Sequence, residues 1–529
     1  MAKQWSIPLA LYATLLAHCS ADGDSLGART NPASTPDVRD AASATLHPPD
    51  LDAGGSSMML DAATLASSLT EAGWSGPFGP PPPVNPAMAA DGLGTQHGDS
   101  AASDTSPLPG PGRGEIAVRV LDLFAACPSV LVAPDGMVFA VCTQIVNQTP
   151  AVYLLHPETG DTLAMRALAK GSLFGGVYPY LDVEGRLLVV DGEQNLLRIE
   201  HTRSGAGVWQ LDVESTHSLG AAGEGCSGSA CNGVVGLLPG YDGRVWFATQ
   251  SGQVGVFDAQ ADRVEKLSLP DGERIYNSLA TAPEGTAVVT DHALYLLGVD
   301  ARGKPVVLGR AAYERGSARK PGQLSQGSGS TPTFFGPRSG SDYLTITDNA
   351  EPTANLLVFA SRDLTHPLCQ IALPAPTGYG SENSPIGSGR SVFVASTYGY
   401  PYAALPEGAG TSRPASAPVL GGMARVDVAD DGRCSVVWQN AVRSAALPKL
   451  SLPDGLIYTV ERKLLSADAS SGPLDSYLYT ALDPLSGQIV AQHELPGATD
   501  TMQLAGTLAP GGILYQGMLT GVLRISARH

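Results

Sequence analysis

Eight glycines, Gly136, Gly185, Gly243, Gly285, Gly340, Gly389, Gly455 and Gly512, each fall between two short apolar runs, at intervals of 42–66 residues. A recurring unit of that size, built from several strands, is the sequence pattern of a β-propeller. In the first unit Val130-Leu131-Val132 leads through Pro134-Asp135-Gly136 into Met137–Val141. That is strand, turn and strand, with glycine supplying the positive φ of a tight hairpin. Val152–Leu155, the turn Pro157–Gly160 and Thr162–Met165 complete four strands. The units around Gly243 and Gly455 repeat the pattern. Runs of four to six residues rich in Val, Leu, Ile and Tyr, bounded by Gly, Pro and Asp, read as strands. No long amphipathic helix follows residue 115.

The eighth unit is short by at least one strand, and Glu115–Leu121 is a spare one. Pairing the two, with Val118 near Ile525, closes the ring and satisfies an open edge. The expected fold is all-β: an eight-bladed β-propeller, with seven blades as the alternative, closed by an N-terminal strand.

The expected boundaries are a signal peptide over 1–19, a disordered tether over 20–114 and the propeller over 115–529. Lys3 precedes an apolar stretch from Ile7 to Ala17, then Cys19. This reads as a secretory signal, too short to span a membrane stably. Leu16-Ala17-His18-Cys19 resembles a bacterial lipobox, which would make Cys19 a lipidation site; cleavage near Ala21 is the rival. Residues 20–114 are rich in Ala, Ser, Gly, Pro and Asp, a composition too poor in large apolar groups to suggest a core. The expected location is periplasmic or at the cell surface, with membrane contact only through such an anchor. A net charge of −18 disfavours nucleic acid as a partner. Of the six later cysteines, Cys127 and Cys142 flank the first hairpin turn, Cys226 and Cys231 could close a small loop, and Cys369 and Cys434 occupy similar outer strands of neighbouring units. Disulfides or buried thiols both fit this pattern.

Tyr479-Thr480-Ala481-Leu482-Asp483-Pro484-Leu485-Ser486-Gly487 resembles the repeat of quinoprotein-like (PQQ-type) propellers, in which a strand ends in Leu-Asp and a polar turn closes with Gly. Tyr153–Gly160 is similar, with His156 where the repeat has Asp. The tryptophan that follows the turn in that family is absent from both copies. The resemblance implies a propeller. It argues against PQQ as the cofactor, because quinoprotein dehydrogenases carry an adjacent cysteine pair and tryptophan-rich repeats, whereas this chain has no Cys-Cys and five Trp.

Asn232, Asn277, Thr331, Glu382, Asn383 and Lys449 lie near the starts of innermost strands, where they would ring the mouth of the central channel. Asp291, His292, Asp348 and Asn349 fall in the loops joining second and third strands. Each of these residue types also serves turn backbones alone. Two long insertions join the same face. One carries Arg310, Arg315, Arg319 and Lys320, either for an anionic ligand or simply as a solvated loop. The other carries Tyr398, Tyr400 and Tyr402, suited to stacking on a ligand or to self-packing. The expected function is an exported, surface-displayed propeller that binds a ligand or a cell-surface protein through this face. The alternatives are a calcium-dependent hydrolase or lyase, since Asn and Glu oxygens suit Ca²⁺, and a quinoprotein-like oxidoreductase. No haem, zinc-protease or phosphate-loop motif is present.

Overall fold

The computed structural model describes residues 78–90, 92–171, 176–220, 232–270, 272–472 and 474–528. The signal region, Cys19, Cys226 and Cys231 lie outside the described residues. Among the described residues, eight blades of four antiparallel strands follow one another along the chain, the sheet of the seventh gaining a fifth, parallel strand. Blades 1 to 7 span 125–167, 180–218, 234–268, 280–312, 333–372, 386–440 and 449–494, with strands A to D running outward in each. All eight glycines that mark the period sit in the A–B hairpins at positive φ.

Blade 8 takes strands A to C from Thr507–Ala509, Ile513–Met518 and Gly521–Ala527, and its outer strand from Ile116–Asp122. Val118 pairs with Ile525. The two ends of the propeller chain thus share one sheet, and the ring is closed by hydrogen bonds and packing.

Apolar side chains fill the gaps between consecutive blades. Leu131, Phe139 and Leu187 pack between blades 1 and 2. Trp246, Phe247 and Tyr295 pack around blade 3. Phe334 and Phe359 pack toward blade 4, while Phe335 and Val392 bridge blades 5 and 6. Phe393 and Leu450 bridge blades 6 and 7. Tyr479, Tyr515 and Val130 belong to one cluster spanning blades 7, 8 and 1. Strands A to C are largely buried and the D strands alternate in exposure, as expected for sheets stacked face to face. Cys127 is disulfide-bonded to Cys142 across the first hairpin, and Cys369 to Cys434 between the D strands of blades 5 and 6.

The chain departs most from expectation between Phe78 and Gly114. These residues fall in the expected tether, yet they are packed into the propeller. Residues 78–89 cross the lower face, the side of the A–B turns. There Ser388 donates to Phe78 O, Asn85 Nδ2 to Pro239 O and Ala89 N to Leu181 O. Residues 92–106 then run through the central channel, every one of them buried. Their carbonyls accept from Leu181, Thr281, Phe334, Gly387 and Leu450, in blades 2, 4, 5, 6 and 7. Thr105–Ser106 pairs in parallel with blade 7's A strand. The physical reason is the inner edge of each A strand, whose backbone groups would otherwise face an empty axial hole. Small Ala, Ser, Gly and Thr side chains suit that narrow space, and their polarity serves the edges. The composition that reads as a tether is that of a channel lining.

Leu121 of the closing strand is 6% exposed and packs against Gly160 of blade 1. Leu121→Ala is expected to cost about 2–4 kcal/mol in urea unfolding. Val120→Ala, at a position 36% exposed, should cost under about 0.5 kcal/mol. Equal small losses would contradict closure through this strand.

Candidate functional site

The upper face carries the B–C loops and the D–A connections between blades. Where they converge on the axis lies a cavity of about 70 Å³. Its walls come from Tyr178, Asn277, Thr331, Glu382 and Asn383 on D–A connections and Tyr402 on the long B–C loop of blade 6; its floor is Gln96 and His97 of the channel segment.

Two polar groups here are buried and unsatisfied. No well-formed hydrogen bond reaches either carboxyl oxygen of Glu382, itself 7% exposed, although the Leu324 and Asn277 amides lie close, and none reaches His97 Nε2. Burial raises the Glu382 pKa from its ordinary 4.5 to about 8, and only partly do the nearby Leu324 amide, the Asn277 amide and the more distant Arg319 oppose this. Asn277 is fixed by donating to Gly329 O and accepting from Tyr178 Oη at 3.3 Å. Asn383 Nδ2 donates to Gln503 Oε1 at 3.2 Å.

His97 is held from below. Its Nδ1 lies 3.1 Å from both oxygens of Asp104, so in the neutral ring Nδ1 carries the proton and Nε2 is an acceptor. Ser384 Oγ donates to Asp104 at 2.8 Å, and Lys449 Nζ lies 3.5 Å from it while donating to Gln96 O at 2.6 Å. Asp99, bonded by the Ser103 amide and hydroxyl, has its pKa raised by burial to about 6. The Tyr178 ring lies nearly parallel to the His97 ring, with centroids 6.2 Å apart. Ala102, Asp104, Met502 and Gln503 all hold positive φ around this region. Such backbone is costly for non-glycine residues and collects at functional sites.

Of the expected ligand-binding residues, Asn277, Thr331, Glu382 and Asn383 line the cavity. The others lie elsewhere. Asn232 is spent on Thr249, Ser251 and the Ser251 amide. Lys449 is 2% exposed and neutralises the channel carboxylates. Tyr398 packs on Tyr379, and Tyr400 donates to Asp500, whereas Tyr402 reaches the cavity. The basic insertion is internally engaged: Arg310 pairs with Glu273, Arg315 with Asp291, Arg319 binds the Gln323 and Gly410 carbonyls, and Lys320 the Ala350 carbonyl. His292 bonds Asp291, Asp348 fastens its own loop, and Asn349 Nδ2 donates to the Arg315 and Ala318 carbonyls of the neighbouring insertion. Gln96, His97 and Asp104 were not anticipated, because they lie in the segment read as a tether. A lone His-Gly-Asp within a Ser/Ala-rich stretch was the sole signal.

Among the described residues no three His, Cys, Asp or Glu side chains come together to hold a metal. The cavity offers one carboxylate, whereas Ca²⁺ takes six to eight oxygens. These residues therefore do not fit calcium.

No protein-family model matches the chain. An uncharacterised protein of Archaeoglobus fulgidus is 27% identical over 339 residues, 57% of this chain; the chain spans 62% of that relative's length. A streptogramin B lyase is 9% identical with a TM-score of 0.33, covering 78% of this chain and 98% of its own. BamB of Moraxella catarrhalis is 12% identical with a TM-score of 0.33, covering 64% and 95%. Both are propellers, and at these values neither bears on ligand or activity. The likeness to PQQ-type repeats remains one of two repeat units.

The Glu382 pKa is raised in the folded state, so its proton stabilises the fold. That stability is complete below about pH 4.5 and is lost as pH rises through about 8. In the ligand-free protein, Glu382→Gln should therefore gain on the wild type across that window, by an order of about 4 kcal/mol at pH 9. Urea unfolding from pH 4 to 9 checks this; parallel curves would contradict it.

Proposed function

We propose that this protein is an exported binding propeller that holds a small polar ligand, or the polar end of a larger one, at the upper mouth of its channel. The observation that carries this reading is the cavity faced by Glu382 and His97 Nε2, both buried and neither with a well-formed hydrogen bond. Buried polar groups are ordinarily satisfied, so such a pair calls for water or a ligand. Loops that carry function on a rigid scaffold are the usual arrangement, and here six D–A connections meet at one point.

Thermal-shift measurements with small neutral, anionic and cationic compounds test the reading. At least one class should stabilise the wild type saturably, and Leu324→Phe, which fills the cavity, should abolish the effect while keeping the fold. No stabilisation by any class, or full binding to the filled variant, would overturn it.

Export belongs to the same reading. Its supports are the apolar stretch Ile7–Ala17, Cys19 and two disulfides suited to an oxidising compartment. Mass spectrometry of protein recovered from a bacterial envelope should find the chain starting at an acylated Cys19, or near Ala21, with both disulfides formed. An intact Met1 with reduced Cys369 and Cys434 would count against it.

A further inference from the structure

Two buried polar groups without a well-formed hydrogen bond belong to residues lining the channel-mouth cavity, the Glu382 carboxyl group and His97 Nε2, and Asn383 shares the wall. Two tyrosine rings, Tyr178 and Tyr402, complete the walls. The cations nearby are committed elsewhere. Arg319 is bound to the Gln323 and Gly410 carbonyls, and Lys449 to Gln96 O and Asp104. Among the described residues no Lys, Arg or His pairs with Glu382.

An ammonium group carries three donors and no acceptor, which is the complement of this set. Tyrosine faces attract cations, more strongly where water is excluded. A protein with a net charge of −18 concentrates cations at its surface. An inorganic divalent ion would need more carboxylates than the cavity holds, and an anion would find no cation to pair with, since Arg319 and Lys449 are committed elsewhere.

We propose that this cavity receives an organic ammonium group, either a small primary amine or the amine end of a larger molecule, held by Glu382 and His97 Nε2 beside Asn383, Tyr178 and Tyr402. This rests on the binding reading above and names its ligand class. A space of about 70 Å³ admits a group of a few heavy atoms. The groups facing Glu382 are His97 from the channel segment, Tyr178, Asn277 and the Leu324 amide from D–A connections, Tyr402 from the B–C loop and, further off, Arg319. In the empty cavity Glu382 keeps its proton up to about pH 8. A bound cation favours the carboxylate, so binding at pH 7 expels that proton to solvent.

Calorimetric titration with ethylammonium chloride is the test, with ethylene glycol and sodium acetate as the neutral and anionic probes and sodium chloride as the ionic control. Simple alkylammonium ions stay charged to about pH 9. Ethylammonium should bind saturably, release close to one proton at pH 7, and gain about fivefold in affinity from pH 7 to 8, approaching tenfold near pH 9 before levelling. Glu382→Gln should weaken it tenfold or more and abolish the proton release. Acetate or glycol binding without ethylammonium binding overturns the ligand class and leaves the binding cavity standing. No binding by any probe removes both. Ethylammonium binding without proton release, or unchanged in Glu382→Gln, also overturns the assignment; proton release is read on the wild type, so it does not depend on how the variant folds.

Discussion

The inner edge of a propeller blade is a strand edge with nothing beside it. Eight such edges around one axis create a ring of unpaired backbone groups, and satisfying them is the constraint on which the rest of this structure depends. The chain meets it with its own residues 92–106, whose carbonyls accept from the A-strand amides of blades 2, 4, 5, 6 and 7. The segment turns back at Thr95–Gly98 and returns to the lower face, where Gly110 N donates to Asp454 in the A–B turn of blade 7, before Ile116–Asp122 supplies the outer strand of blade 8. Lining the axis and closing the ring are one continuous act of the N-terminal chain.

The candidate site is a by-product of that lining. His97 and Asp104 stand at the cavity only because the channel segment brings them there, and Lys449 from blade 7 compensates the carboxylates below. Burying one cation among Asp99, Asp104 and His97 is tolerable because each carries hydrogen bonds as well as charge. Above them, Glu382 has only the Leu324 and Asn277 amides nearby and no paired cation. The contrast between a satisfied cluster below and an unsatisfied carboxyl above separates groups that hold the fold from those free to meet something else.

Much of the fold was legible because its signals are local. Glycine in an A–B hairpin and alternating apolar runs each need only a few residues, and the missing strand of unit eight was apparent as an arithmetic shortage. Half of the site was legible for a similar reason: Asn277, Thr331, Glu382 and Asn383 precede A strands, and that place in a blade puts them at the mouth. What a strand pattern cannot give is side-chain direction within a loop, which separates Tyr402 from Tyr398 and Tyr400. Nor can it give the role of a segment whose structure is imposed from outside. Thr95–Ser106 has no periodicity of its own, since its conformation follows the edges it serves, and so Gln96, His97 and Asp104 were hidden.

In a plain repeat array each unit interacts only with its neighbours, and stability is close to a sum over units. The axial segment changes that arithmetic here. It touches blades on opposite sides of the disk, and Tyr479 Oη in blade 7 donates to Gly112 O, 367 residues away in sequence. Withdrawing it would strip hydrogen bonds from five sheets at once. The blades of this protein are therefore tied into a single cooperative unit, with its N-terminal thread as the common fastening, rather than a row of modules that fray one at a time.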